Sequence, residues 1–215
     1  MASAAREYTP AEAAAISGVA VKAVHNAIDK RIVNAAERHT QKRAARKLTS
    51  GDVLRLKLWH AIGAILSQER RQRLFAEIDA RPEAKRVKAD TYLIVDVEEA
   101  RKQIAQRARH LETAESAVTC STAVMGGEPV FKGTRIPVRL IATMLDEGVD
   151  ASEILEGYPK LEERHLDLAR MWVAAHPRRG RPKSLADRGA KVRSRSRSTL
   201  KPDPGPTASA RRHSA

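Results

Sequence analysis

The sequence is poor in several things at once: 215 residues hold one cysteine, only 3% Phe, Trp and Tyr, and no apolar run long enough to cross a bilayer. Cys120 alone cannot form an intrachain disulfide, which fits a reducing compartment. So few aromatics suit small helical modules better than a β-sandwich core. The opening residues Met-Ala-Ser-Ala-Ala-Arg-Glu lack the apolar centre of a secretion signal, so the expected location is cytoplasmic.

Catalytic patterns are also wanting. His25, His39, His60, His110, His165, His176 and His213 are scattered without zinc-ligand spacing. The order Lys132-Gly133-Thr134 puts the lysine on the wrong side of the glycine for a phosphate loop. Glu98-Glu99 and Glu162-Glu163 sit where helices should begin, so they suit the helix dipole better than acid–base work. Cys120 falls at the end of an apolar Val-Thr-Cys segment and is expected to be buried. No catalytic residue, metal site or cofactor is expected.

What the chain does have is positive charge, +14 in total. Between Pro177 and Ala215, twelve Lys or Arg face only Asp187 and Asp203; the tail thus carries +10 and the remainder +4. A polyanionic partner is implied, although the folded part is only mildly basic. The tail is too rich in Pro, Gly, Ser and Arg to bury a core, and disorder is expected there.

The expected fold is mainly α, in four parts: residues 1–78 as a winged helix-turn-helix, 79–116 as a connector with a strand and a helix, 117–176 as a three-helix domain with a short β arch, and 177–215 as a basic tail. Large apolar residues cluster in two stretches, Ile16 to Leu74 and Val118 to Val173, each able to support a modest core. Asp79 to Ala89 reads as a polar connector.

In the first part, Thr9-Pro10-Ala11-Glu12 has the form of a capping box with proline at the first helical position. Ala14, Gly18 and Val24 then have the spacing of a helix-turn-helix: a small residue at the crossing, a glycine in the turn and an apolar anchor. The second helix would present Lys22, His25 and Asn26 outward, with Asp29. Asn26 matches the donor–acceptor pair of adenine, and Lys22 can reach a phosphate or a guanine edge. Lys42, Arg43, Arg46 and Lys47 on a following wing would hold phosphates. This arrangement, continued by Leu-Thr-Ser-Gly-Asp-Val-Leu-Arg-Leu, resembles a MerR-type winged helix over about residues 7 to 75. Two short helices around a glycine also occur in all-helical proteins that bind no DNA.

The second half contains Gly126-Gly127-Glu128-Pro129-Val130-Phe131-Lys132-Gly133-Thr134-Arg135-Ile136-Pro137-Val138. Its glycines suit positive-φ positions in a tight arch, Pro137 ends the second arm, and Thr134 and Arg135 stand where the arch meets the next helix. This stretch, with later matches such as Tyr158-Pro159, resembles the signature of the domain of unknown function number four hundred and thirty-three, over about residues 117 to 176. The resemblance implies a VapB-type antitoxin, a dimerisation and toxin-binding domain, and a partner toxin that resembles a PIN-domain ribonuclease. For Gly126, Gly127, Pro129, Gly133, Thr134, Arg135 and Pro137 a structural role is expected to outweigh a chemical one.

After the last helix, Arg178, Arg179, Arg181 and Lys183 admit two uses. They resemble an AT-hook, running along a narrow A·T minor groove. Alternatively they could pair with the acidic, metal-holding site that a PIN-like nuclease implies, since a guanidinium binds a carboxylate bidentately. The expected function is a dimeric antitoxin that inhibits a PIN-like ribonuclease and represses its own operon by binding operator DNA. The alternatives are a stand-alone transcription regulator without a toxin, or an architectural protein that relies on its tail.

Overall fold

The computed structural model describes residues 6–33, 36–40 and 43–178, with 36–40 and 43–45 described by their backbone alone. The described residues up to Pro177 form one compact unit. It is mainly helical, with short antiparallel strand pairs, as the composition suggests.

Helix α1 (Pro10–Ser17) starts at the expected capping box. The Thr9 hydroxyl accepts the Glu12 amide at 3.3 Å, while the Glu12 carboxylate accepts the Thr9 amide at 2.7 Å. Gly18 ends the helix in the left-handed region, φ 76°. After a short turn comes α2 (Val21–Asp29), which buries Val24 and Ala27.

Strands β1 (Ala36–Thr40) and β2 (Arg43–Lys47) pair antiparallel from Ala36↔Lys47 to Thr40↔Arg43, forming the expected wing. Its base is tied to the segment before α1 by two backbone hydrogen bonds between Tyr8 and Leu48, at 2.9 and 2.8 Å. A second capping box, Thr49 with Asp52, opens α3 (Ser50–Ile62), and Ser67 caps α4 (Gln68–Ala80).

The supposed polar connector from Asp79 to Ala89 is partly a strand. β3 (Arg86–Asp90) pairs antiparallel with β4 (Leu93–Asp96). Arg86 and Lys88 face solvent while Val87 and Ala89 are buried, so the period-2 alternation of a half-buried strand is present, disguised by its charged positions.

Helix α5 (Val97–Ala117) is a single long element that supplies residues to two apolar clusters. Ile104 and Leu111 join Ile16, Val24, Leu48 and Leu74 in the first. Ala114 joins Phe131, Ile141, Ile154 and Trp172 in the second. Fully buried Leu, Ile or Phe side chains each contribute roughly 1.5–3 kcal/mol, so both clusters hold the unit together. Met171 packs against both.

The second cluster lies among β5 (Val118–Thr119), β6 (Val130–Phe131), α6 (Val138–Asp146), α7 (Ala151–Gly157) and α8 (Glu163–Ala175). Cys120 corrects the expectation of burial: β5 ends at Thr119, and the cysteine just beyond it is exposed. No helix among the described residues is long and apolar enough to cross a membrane.

Much of the folded part's arginine is structural. Arg71 donates to the Gly63 carbonyl at 2.6 Å, Arg107 to Ala15 at 2.9 Å and Arg139 to His176 at 2.6 Å. Each carbonyl lies at or near the C-terminal end of a helix, where backbone acceptors lack intrahelical partners and the dipole favours a cation. Arg107 thereby pins the end of α1 to α5.

Candidate functional site

The outward face of α2 is set by the residues it buries. With Val24 and Ala27 turned into the core, helical geometry leaves Lys22, His25, Asn26 and Asp29 on the other side, and all four are exposed. The side chains of Lys22, His25 and Asn26 make no hydrogen bond or ion pair with other described residues, so their polar atoms are available to a partner.

The wing lies beside this face. Arg46 on β2 pairs with Asp29 of α2 at 3.0 Å, both side chains being largely solvated. Such a pair contributes about 0–1 kcal/mol, so its main consequence is placement: a cation is held at the C-terminal end of α2. That pairing was hidden from sequence reasoning, because Asp29 appeared only as one more outward residue. Lys47 is half-buried at the base of the wing. Arg43 is placed by its backbone, opposite Thr40. Lys42 lies outside the described residues.

The arch is built differently. Gly126, Gly127 and Gly133 have φ of 64°, 88° and 74°, the left-handed positions expected of them. Gly126 and Gly133 have open space where a Cβ would go, so backbone conformation rather than crowding calls for glycine there. The Thr134 hydroxyl donates to the Phe131 carbonyl at 2.9 Å and accepts the Ile136 amide at 3.1 Å. The Pro129 carbonyl accepts the Val138 amide at 3.0 Å, and Pro137 is the residue from which α6 starts. Phe131 and Val138 anchor the arms at 1% and 0% exposure. Arg135 is exposed on the arch.

One polar assembly has no counterpart in the sequence reading. Glu12 of α1, Glu115 of α5 and His176 after α8 bring ligand-type atoms within 4.8 Å of one another. Their bonding favours a junction between helices over a metal centre. Glu12 caps α1, Glu115 accepts Arg6 at 2.7 Å, and His176 Nδ1 lies 3.0 Å from the Trp172 carbonyl. Burial works against the charge on Arg6, but the hydrogen bond and charge of Glu115 outweigh it, aided by Tyr8 and Glu12, and hold the guanidinium above its usual pKa. Residues more than a hundred positions apart meet here, and no local motif could signal it.

Of the tail residues, Arg178 is the last described; Arg179, Arg181 and Lys183 lie outside the described residues, as does the expected disorder beyond them.

Residues 118–170 match the family described as "Protein of unknown function (DUF433)". A relative, the uncharacterized protein y4eO of Sinorhizobium fredii (strain NBRC 101917 / NGR234), is 32% identical over 96 residues. That alignment covers 45% of this chain and 43% of the relative, so the chain spans less than half of the relative's length. The crystal structure of Rv2018 from Mycobacterium tuberculosis aligns over 76% of this chain and 96% of that one, at 14% identity and a TM-score of 0.31. At that level of superposition the likeness fixes neither fold nor function.

Proposed function

We propose that this chain is a DNA-binding antitoxin: it inhibits a PIN-like ribonuclease and, as a dimer, represses its own operon. The observation that carries the DNA half is the exposed, uncommitted face of α2, directly after a left-handed glycine and beside a two-stranded wing. In this reading α2 lies in the major groove, Asn26 meets an adenine, and Lys22 meets a phosphate or a guanine edge. Arg46, released from Asp29, and Lys47 hold the backbone and set the register without reading sequence.

The nuclease half is supported by the match over 118–170 together with the antitoxin resemblance of the arch signature. The residues after α8 are the segment suited to an acidic nuclease site, with Arg178, Arg179, Arg181 and Lys183 facing carboxylates that would otherwise hold metal. No catalysis by this chain is required.

The test is to purify the chain and a nuclease encoded beside it, then measure RNA cleavage by the nuclease alone and after mixing. Cleavage should fall to background at stoichiometric antitoxin and return when Arg178, Arg179 and Arg181 are replaced by alanine. Undiminished cleavage by the mixture would refute the antitoxin reading. Operator binding that survives removal of residues 177–215 would set aside the tail-driven architectural alternative.

A further inference from the structure

The hairpin β3–β4 and the turn between α3 and α4 leave a face that no other described residue covers. Tyr92, Ile94 and Ile65 are 96%, 57% and 78% exposed, and Leu93 is 40% exposed. With Leu58, Ile62 and Leu66 below, Ile65, Leu93 and Ile94 line a groove of about 600 Å³ between the α3–α4 side and the start of α5. Among the described residues the sheet has only two strands, so no third strand shields β4. Grouped apolar exposure of this kind marks an interaction surface.

The charges on its rim indicate the occupant. Lys57 and Arg70 stand on the α3–α4 wall, while Asp96 and Glu99 stand on the β4–α5 wall. Arg70 is paired with Asp90, and Asp96 caps α5 with Arg86 nearby. Lys57 and Glu99 take part in no ion pair with other described residues. A two-fold axis lying in the plane of the face and running along the groove sets the cationic wall of one molecule against the anionic wall of the other, twice. A surface with this pattern is complementary to itself.

We infer that this groove is the contact between two copies of the chain, closed by Ile65, Leu93 and Ile94 at its centre and by Lys57 of each copy against Glu99 of the other at its rim. The inference rests on the dimer proposed above and names its surface, placing it outside residues 117–176, where the family resemblance implies dimerisation; it is tested without DNA or nuclease. Sedimentation equilibrium of the full chain should show a dimer at micromolar concentration. Ile94→Lys adds a charge at an exposed position and should weaken the dimer at least about tenfold with unchanged circular dichroism. Lys57→Glu and Glu99→Lys should each weaken it, and the double variant Lys57→Glu/Glu99→Lys should restore it. Loss with Ile94→Lys together with recovery in the double variant supports the contact; every other pattern overturns it. A wild-type chain that is monomeric would overturn the dimer itself, whereas a dimer indifferent to these changes would overturn only its location. Neither result bears on nuclease inhibition.

Discussion

Helix α2 and the arch each set polar groups above buried apolar anchors, yet they use their polar groups in opposite ways. On α2 the buried residues are ordinary apolar anchors, and Lys22, His25 and Asn26 stand clear of the fold. In the arch, the glycines, the Thr134 hydroxyl and the Pro129 carbonyl are consumed in making the turn itself. A distinctive motif can therefore be architecture, while a plain helix leaves its polar side chains uncommitted to the fold. Substitutions in the arch should cost stability and spare DNA binding; those on α2 should do the reverse.

The largest effect is expected at the arch's anchor. Phe131→Ala should remove roughly 3–5 kcal/mol of stability in urea denaturation. On the other side of the comparison, Asn26→Ala should lower discrimination at one base position by about 1–3 kcal/mol, with stability changed by no more than about 0.5 kcal/mol. Binding to a set of singly substituted operators would read this out. A stability loss without a change in base preference would place Asn26 with the arch residues.

Gly133→Ala puts a Cβ on a residue at φ 74° and should cost roughly 1–2 kcal/mol by strain alone, since space is open there. Smaller still is the wing's contribution. Arg46→Ala should weaken all DNA sequences alike and flatten the salt slope by about one unit, while Asp29→Asn should tighten non-specific binding by removing a competitor for Arg46. Anisotropy titrations across a salt series would separate the two.

The smallest effect concerns the cap of α7. Asp150 accepts the Ser152 hydroxyl and amide, which hold its carboxyl below the usual value. Because the folded pKa is depressed, the cap's contribution is present above the ordinary carboxylate value and lost as pH falls through the lowered one. An NMR titration should show the Asp150 pKa rise toward normal in Ser152→Ala.

Local physics was legible from the residues. Thr9 with Glu12, the turn glycine at 18 and the positive-φ glycines of the arch all fall where short-range rules put them. What was missed depended on partners distant in sequence or on misjudged position. The alternation in β3 carried charges on its outer face and looked like linker. Cys120 was judged by its apolar neighbours, yet the strand ends one residue earlier. The junction of Glu12, Glu115 and His176 and the pairing of Arg46 with Asp29 exist only because separate elements pack together. Of the proposed DNA-binding surface, α2's outward set could be named from periodicity, whereas the pairing of Arg46 with Asp29 required coordinates.

The role proposed for the outer face of α2 is tested most directly by anisotropy of the full chain on the DNA upstream of its own gene, at fixed salt, against a scrambled duplex of equal composition. Tighter binding to the upstream duplex is expected, with that preference reduced in Asn26→Ala and kept when residues 177–215 are removed. Equal affinity for both duplexes, or a preference untouched by Asn26→Ala, would contradict it.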